Sequence, residues 1–279
     1  MATRDYKVLV RKHWDDGKML CVGLDTDFNK IPLHLQALTP REGIVAFNTA
    51  IIDATKDLVC AFKPNAAFYE AHGAEGWSAL RETIEYIHSV APDVPIILDA
   101  KRGDIGNTND GYVEAFFDVL GVDAVTVHPY LGAEAVQPFL DRPEKGVIVL
   151  CRTSNSGAKE FQDAIIDGEP LHKMVARNVS ESWNSNGNCS LVVGATYPQE
   201  MKEIRAIVGD VPFLIPGIGA QGGDLEMTVA AGKDSRGQGM VISSSRAILY
   251  ASSGEDFAQA ARSRAQDFDS AIRKAVVEK

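Results

Sequence analysis

Eight short apolar runs recur along the chain, and each is followed by a polar or glycine-rich stretch. After each stretch comes a segment whose apolar residues have helical spacing. The apolar runs predict strands at 19–24, 58–62, 95–98, 123–127, 146–150, 190–193, 212–215 and 239–242. Nearly continuous apolar runs are typical of parallel strands whose two faces are both covered.

Helices are predicted before, between and after these strands. They are expected at 1–15, 40–57, 75–90, 107–120, 132–140, 170–183, 198–208, 224–231 and 257–276. Asn107 and Thr108 are expected to cap the fourth of them, and 155–169 is expected to be a polar loop.

Eight strand-then-helix units with an extra N-terminal helix predict an α/β fold, a closed (β/α)8 TIM barrel. The alternative is an open, doubly wound sheet, whose glycine-rich turn follows the first strand. Here the glycine-rich turn follows the seventh strand, which favours the barrel. No linker or low-complexity segment interrupts the chain, so 1–279 is expected to form a single domain.

Composition narrows the classes of function. The chain has 279 residues and a net charge of −10, which argues against a general surface for nucleic acid or for anionic membranes. No apolar run approaches the ~18 residues of a membrane span, and the N-terminus lacks a signal-peptide core. The cysteines show no C-x-x-C spacing and are predicted to be buried free thiols: Cys21, Cys60, Cys151 and Cys189. A reducing cytoplasm fits these features.

The third apolar run leads directly into charged residues, with the sequence IILDAKRGD at 96–104. Side chains alternate faces along a strand, so Asp99 and Lys101 are expected on the same face. Asp104 follows Gly103 and need not share that face. Burying a carboxylate and an ammonium costs free energy unless the two groups pair with each other. A purely structural ion pair is the alternative to a catalytic one.

Polar residues follow the other predicted strands as well. In barrels of this type the carboxyl ends of the strands carry the active site. Those ends hold Asp25, Lys63, Asp99 with Lys101, His128, Ser154, Thr196, the turn at Gly217 and Arg246. His128 is interpreted as a hydrogen-bonded rim residue rather than an acid or base. Histidine and cysteine spacing predicts no metal site.

The turn at 216–223 precedes a helix and offers backbone N–H groups to an anion. Arg246, after the eighth strand, can reach the same place. Phosphate sites in barrels often use the loops after strands seven and eight, so a phosphate site is predicted here. A tight turn that simply requires glycine is the alternative.

These motifs resemble those of the orotidine 5′-monophosphate decarboxylase family. The sequence DAKRGDIGNT at 99–108 is similar to its D-x-K-x-x-D signature, which a wider group of barrel enzymes shares. The blocks at 23–25, 62–65, 216–223 and 245–246 are similar to its other motifs. The resemblance covers about 19–247 and is strongest to the longer, second subfamily.

The resemblance implies a role for each site residue. Lys101 protonates C6 of the pyrimidine, Asp99 lies beside the substrate carboxylate, and Lys63 completes the alternating charges. The implied contacts from the neighbouring subunit of a homodimer are Asp104, which is catalytic, with Ile105 and Thr108. The implied substrate contacts are Asp25 and Lys63 at the ribose, Ser154 at the pyrimidine, and Pro216, Gly219, Gln221 and Arg246 around the phosphate.

The activity implied by the resemblance is cofactor-independent decarboxylation of orotidine 5′-monophosphate to UMP and CO2. This is the last step of de novo pyrimidine nucleotide synthesis, and the expected form is a cytoplasmic homodimer. A Mg²⁺-dependent sugar-phosphate decarboxylase or hexulose-phosphate synthase is one alternative. A Schiff-base aldolase acting through Lys63 or Lys101 and a non-catalytic binder of phosphorylated ligands are the others.

Overall fold

The computed structural model describes residues 4–218 and 224–277. Its main sheet has eight parallel strands. In chain order the strands are β1 (Leu20–Gly23), β2 (Ala61–Lys63), β3 (Ile97–Arg102), β4 (Ala124–Val127), β5 (Gly146–Arg152), β6 (Ile165–Ile166), β7 (Glu169–Pro170), β8 (Cys189–Val193), β9 (Phe213–Pro216) and β10 (Met240–Ser244). Strands β6 and β7 form a separate antiparallel hairpin, and the others run in the order β2-β1-β10-β9-β8-β5-β4-β3.

The two end strands of this order, β2 and β3, also meet. Parallel bridges join Phe62 to Ile96 and Asn65 to Asp99. The Phe62 N–H donates to the Pro95 carbonyl at 3.0 Å, and the Asp99 N–H donates to the Pro64 carbonyl at 2.9 Å. These contacts close the sheet into a barrel, which confirms the predicted (β/α)8 architecture over the open sheet.

Helices surround the barrel. They are α1 (Tyr6–Asp15), α2 (Leu33–Gln36), α3 (Pro40–Thr55), α4 (Ala66–Glu70), α5 (Gly73–Val90), α6 (Gly106–Val113), α7 (Gly132–Leu140), α8 (Lys159–Gln162), α9 (Leu171–Asn178), α10 (Pro198–Val208), α11 (Leu225–Gly232), α12 (Arg246–Leu249) and α13 (Phe257–Val277). Short 3-10 turns lie at Phe28–Lys30 and Ser156–Ala158, and π-helical turns at Glu114–Val119 and Val179–Trp183 extend α6 and α9.

Helix α1 lies at the end of the barrel where the strands begin. The Trp14 indole N–H donates to the Met240 carbonyl at the start of β10, at 2.7 Å. Next to α1, Arg4 forms an ion pair of 2.8 Å with the fully buried Asp123, just before β4. The extra N-terminal helix is therefore confirmed, and the opposite end of the barrel stays open for a site.

The strand interiors form the hydrophobic core. Every residue of β1, β4, β8 and β10 is buried, as expected for strands covered on both faces. All four cysteines are free and buried, which confirms the prediction from their spacing. Among the described helices, none has the length and apolar character needed to cross a bilayer.

Two local predictions are wrong. Asn107 and Thr108 do not cap a helix, because α6 already begins at Gly106 and its N-cap residue is Ile105, which makes no side-chain capping bond. Asn109 instead bonds the backbone of Asp104 through its side-chain amide. The segment 155–169, predicted as a loop, contains a 3-10 turn, α8, β6 and the first residue of β7.

Candidate active site

Four charged side chains form a row at the carboxyl ends of β1, β2 and β3, and we call it the charge row. Lys63 lies between two aspartates, with its Nζ 3.5 Å from Asp25 Oδ1 and 3.2 Å from Asp99 Oδ2. The Lys101 Nζ lies 2.6 Å from Asp99 Oδ1. The row therefore alternates in sign, in the order Asp25, Lys63, Asp99, Lys101.

Mutual attraction keeps the inner members of the row charged. Burial alone would raise the pKa of Asp99, but the ammonium groups of Lys63 and Lys101 outweigh it and hold that pKa well below the usual range. Burial would also lower the pKa of Lys63, but the carboxylates of Asp25 and Asp99 hold it well above the usual range. Both groups are therefore ionised at neutral pH.

The backbone of β3 is irregular at the charge row. Between the pairs Leu98–Val125 and Arg102–Val127, β3 contains more residues than β4, which is a bulge. Within the bulge Lys101 has a φ of +48°, a left-handed conformation that is uncommon for a residue other than glycine. Asp99 and Lys101 are in contact, as the sequence predicts, although the bulge interrupts regular strand alternation at these residues.

Asp99 has two further hydrogen-bond partners that the sequence reasoning missed. The Asn65 side-chain amide donates to Asp99 Oδ2 at 3.3 Å, and the Thr126 hydroxyl donates to Asp99 Oδ1 at 2.9 Å. Each carboxylate oxygen thus has one ammonium and one neutral donor. Thr126 is a polar residue inside the apolar run of β4, and that position was the available signal.

A cleft adjoins the charge row and leads toward the predicted phosphate site. It has a volume of about 140 Å³ and is lined by Asp25, Lys63, Asp99, Pro216, Gly217, Ile218, Ser243, Ser244, Ser245 and Arg246. Arg246 is exposed at its rim, at the start of α12. Gly23 allows the close packing here, since a Cβ on it would lie 1.9 Å from Ser245 Oγ. The predicted contacts Gly219 and Gln221 lie outside the described residues.

Three of the predicted residues follow β3, with Asp104 and Ile105 on the loop after it and Thr108 in the first turn of α6. The Asp104 carboxylate accepts a hydrogen bond from the N–H of Ile105 at 2.7 Å. Within the described residues, no hydrogen bond or ion pair joins it to Lys101 of its own chain. Ile105 and Thr108 are exposed, and Ile105 has 58% of its surface accessible. This loop therefore faces outward from its own barrel.

Ser154 follows β5 and packs against Gly194 at the end of β8, where a Cβ would lie 2.8 Å from it. It is thus at the same end of the barrel as the charge row, but it does not line the cleft beside the row. His128 Nε2 bonds the Gly103 carbonyl at 3.0 Å, which confirms it as a hydrogen-bonded rim residue.

Across residues 4–218 and 224–277, no three His, Cys, Asp or Glu side chains converge as a potential metal site. The carboxylates of Asp25 and Asp99 instead face the Lys63 ammonium. The charge row can therefore place a fixed cation between anions beside a bound ligand.

The fold and the site define a (β/α)8-barrel enzyme with paired charges at the carboxyl ends of its strands. A family model described as Orotidine 5'-phosphate decarboxylase / HUMPS family matches residues 18–262. The orotidine 5'-phosphate decarboxylase of Cellvibrio japonicus (strain Ueda107) is 54% identical over 247 residues, covering 88% of this chain and 90% of that protein. The chain belongs to the orotidine 5′-phosphate decarboxylase / HUMPS family.

Solved structures are similar along almost the whole chain. The structure of Leishmania donovani OMP decarboxylase aligns with a TM-score of 0.83 and 37% identity, covering 97% of this chain and 99% of that one. The structure of Leishmania donovani UMP synthase aligns with a TM-score of 0.86 and 38% identity over 97% of this chain. This chain spans 57% of the length of that second protein.

Proposed function

We propose that this enzyme decarboxylates orotidine 5′-monophosphate to UMP and CO2, without a cofactor, as the last step of pyrimidine nucleotide synthesis. The observation that carries the proposal is the charge row, in which the Lys101 ammonium lies 2.6 Å from Asp99. Family membership supports the same reaction. We also propose that residues 1–279 form one catalytic domain. We propose a cytoplasmic location for the enzyme.

The chemistry explains why a fixed cation is needed. Loss of CO2 from C6 leaves a carbanion whose lone pair the pyrimidine ring cannot delocalise. Repulsion between Asp99 and the substrate carboxylate is worth only about 4 kcal/mol at ~4 Å and an effective dielectric of 20. Enzymes supply about 8–23 kcal/mol of barrier lowering, so repulsion alone is too small. A preorganised Lys101 ammonium stabilises the developing negative charge and then donates a proton to C6.

The remaining site residues are assigned to binding. Asp25 and Lys63 contact the ribose hydroxyls, and Ser154 contacts the pyrimidine. Pro216 and Arg246, which line the cleft, are assigned to the phosphate together with Gly219 and Gln221. Phosphate binding far from C6 can then be used to orient the ring, because binding energy at a remote group can stabilise the transition state.

The assay that tests this function follows the absorbance change of orotidine 5′-monophosphate with purified enzyme in excess EDTA. We expect turnover to UMP at the same rate with and without the chelator. Activity that EDTA abolishes and added Mg²⁺ restores would favour a metal-dependent sugar-phosphate enzyme of this barrel group. Binding of UMP without any release of CO2 would instead indicate a binding protein.

We further propose a homodimer in which Asp104, Ile105 and Thr108 complete the neighbouring active site. The outward-facing loop after β3 supports this proposal. Through the contact of Gly103 with His128, this loop adjoins an apolar groove of about 790 Å³ that is lined in part by Tyr130 and Phe161. Those two side chains are 84% and 65% exposed. An exposed apolar groove of this kind is typical of a protein interface.

Subunit mixing tests the shared site. Lys101→Ala and Asp104→Ala homodimers are each expected to be inactive. In a hybrid dimer, however, one site combines the intact Lys101 of one chain with the intact Asp104 of the other. With free exchange of equal amounts, we expect recovery of about a quarter of wild-type activity, since half of the dimers are hybrids with one intact site.

A matched pair serves as the control for mixing. Lys101→Ala and Asp99→Asn affect residues that act in the same chain's site, so every site of their mixture lacks one of them. This mixture is expected to stay inactive. Recovery in the control mixture, or none in the Lys101 and Asp104 mixture after demonstrated exchange, would contradict the assignment of Asp104 to the neighbouring site.

A further inference from the structure

We propose that Thr126 is a positioning residue that holds Asp99 and Lys101 in their catalytic arrangement. The inference rests on the proposed decarboxylase function. It concerns a side chain on β4, a strand that supplies no other member of the site. Its hydroxyl bonds both the Asp99 carboxylate and the backbone of Lys101, at the bulge in β3.

The bulge creates a need for this hydroxyl. In a regular ladder the backbone N–H groups of β3 would bond the carbonyls of a neighbouring strand. At the bulge, the Lys101 N–H bonds the Thr126 hydroxyl oxygen instead, at 2.9 Å. The same hydroxyl donates its own proton to Asp99 Oδ1, also at 2.9 Å. One side chain therefore provides a hydrogen-bond partner for both the Lys101 backbone N–H and the Asp99 carboxylate.

Thr126 is well suited to fix a geometry. It is fully buried, and β4 pairs it in register with Ile148 of β5. A β-branched side chain in a strand has few accessible rotamers, so the hydroxyl has a defined direction. A fully buried side chain with restricted rotation thus holds the half-exposed Lys101 through its backbone.

Lys101 needs such an anchor because its own side chain is 49% exposed. Within the described residues, the Asp99 carboxylate is the group that pairs with its ammonium. The backbone at Lys101 is also left-handed, which costs energy for a residue with a Cβ. Without the Thr126 hydroxyl, both the backbone and the partner carboxylate of Lys101 would lose a fixed hydrogen bond.

The test compares Thr126→Val, which removes the hydroxyl and keeps the branched shape, with Thr126→Ser, which keeps the hydroxyl. We expect kcat of Thr126→Val to fall about 10- to 100-fold, as for a displacement of reacting groups by about an ångström. The dissociation constant of UMP should change by no more than about twofold, because the product contacts are made elsewhere in the cleft. Thr126→Ser should recover most of the lost kcat.

Thr55→Val is the matched control. Thr55 is also a fully buried threonine, and its hydroxyl donates to the Ile51 carbonyl in α3, away from the site. This variant should keep wild-type kcat although it also loses a buried hydroxyl. If Thr126→Val does not fold, Thr126→Ala removes the same hydroxyl and is compared with Thr126→Ser in its place.

Three results would overturn the role of Thr126. They are a wild-type kcat in the variants without the hydroxyl, a Thr126→Ser enzyme as slow as they are, and a loss of UMP affinity as large as the loss of kcat. A wild-type enzyme that releases no CO2 from orotidine 5′-monophosphate would instead overturn the proposed function. The two failures are therefore distinguishable.

Discussion

Lys101→Ala is expected to lower kcat by about 10⁴-fold or more, the combined effect of losing a proton donor and a preorganised charge. The side chain supplies both the proton for C6 and the positive charge opposite the carbanion. It is half-exposed and contributes little to the core, so the variant should fold normally. Single-turnover decarboxylation measures the loss of rate. Circular dichroism and thermal melting of the same sample show whether the variant is folded.

Lys12→Ala is the matched control for this substitution. Lys12 is also an exposed lysine in an ion pair, 3.0 Å from Asp93, but it lies on α1 at the opposite end of the barrel. Its loss should leave kcat unchanged, because Lys12 lies far from the site. The melting temperature should also change little, since exposed ion pairs contribute little to stability. A Lys101→Ala enzyme with near-native kcat would show that another group protonates C6.

Arg246→Ala is expected to lower kcat/KM by about 10²- to 10⁴-fold, because two charge-assisted hydrogen bonds to a phosphate are worth about 3–6 kcal/mol. The guanidinium is exposed at the rim of the cleft beside the charge row. Its removal should therefore leave the melting temperature close to that of the wild type. Steady-state kinetics with orotidine 5′-monophosphate measures the loss.

The substrate itself offers a second comparison for Arg246. Orotidine lacks the phosphate, so Arg246→Ala should decarboxylate it as slowly as the wild-type enzyme does. Arg264→Ala, which removes an exposed arginine paired with Asp267 on α13, is the control and should behave as wild type with both substrates. An equal loss with both substrates would mean that Arg246 acts on something other than the phosphate.

Much of the barrel could be read from side-chain pattern. Helices α7 and α10 have the predicted bounds, since glycine or proline marks their first residue and apolar spacing continues to their last turn. Strand β3 extends beyond its prediction to Arg102, because the polar residues of the site interrupt the apolar run while backbone pairing continues. Apolar pattern thus locates an element better than it locates a functional end.

The charge row was predictable because Asp25, Lys63 and Asp99 each directly follow an apolar run, and parallel strands bring such ends together. The polar position of Thr126 within β4 was a signal, but its role and that of Asn65 were not predictable, because each role depends on which groups of β3 lie opposite. A threonine in a strand is ordinary on β propensity alone. Its role arises from a bulge in the neighbouring strand, and local sequence does not encode that pairing.

The closure of the barrel has a consequence for evolving new activities on this scaffold. One of the two bridges that join β2 to β3 is formed by Asn65 and Asp99. Asp99 belongs to the charge row, and the Asn65 side-chain amide donates a hydrogen bond to it. Selection for altered chemistry at these positions therefore also acts on the pairing of β2 with β3 that closes the barrel. Mutant libraries aimed at a different substrate would retain more folded members if the varied positions were confined to loops far from this pairing.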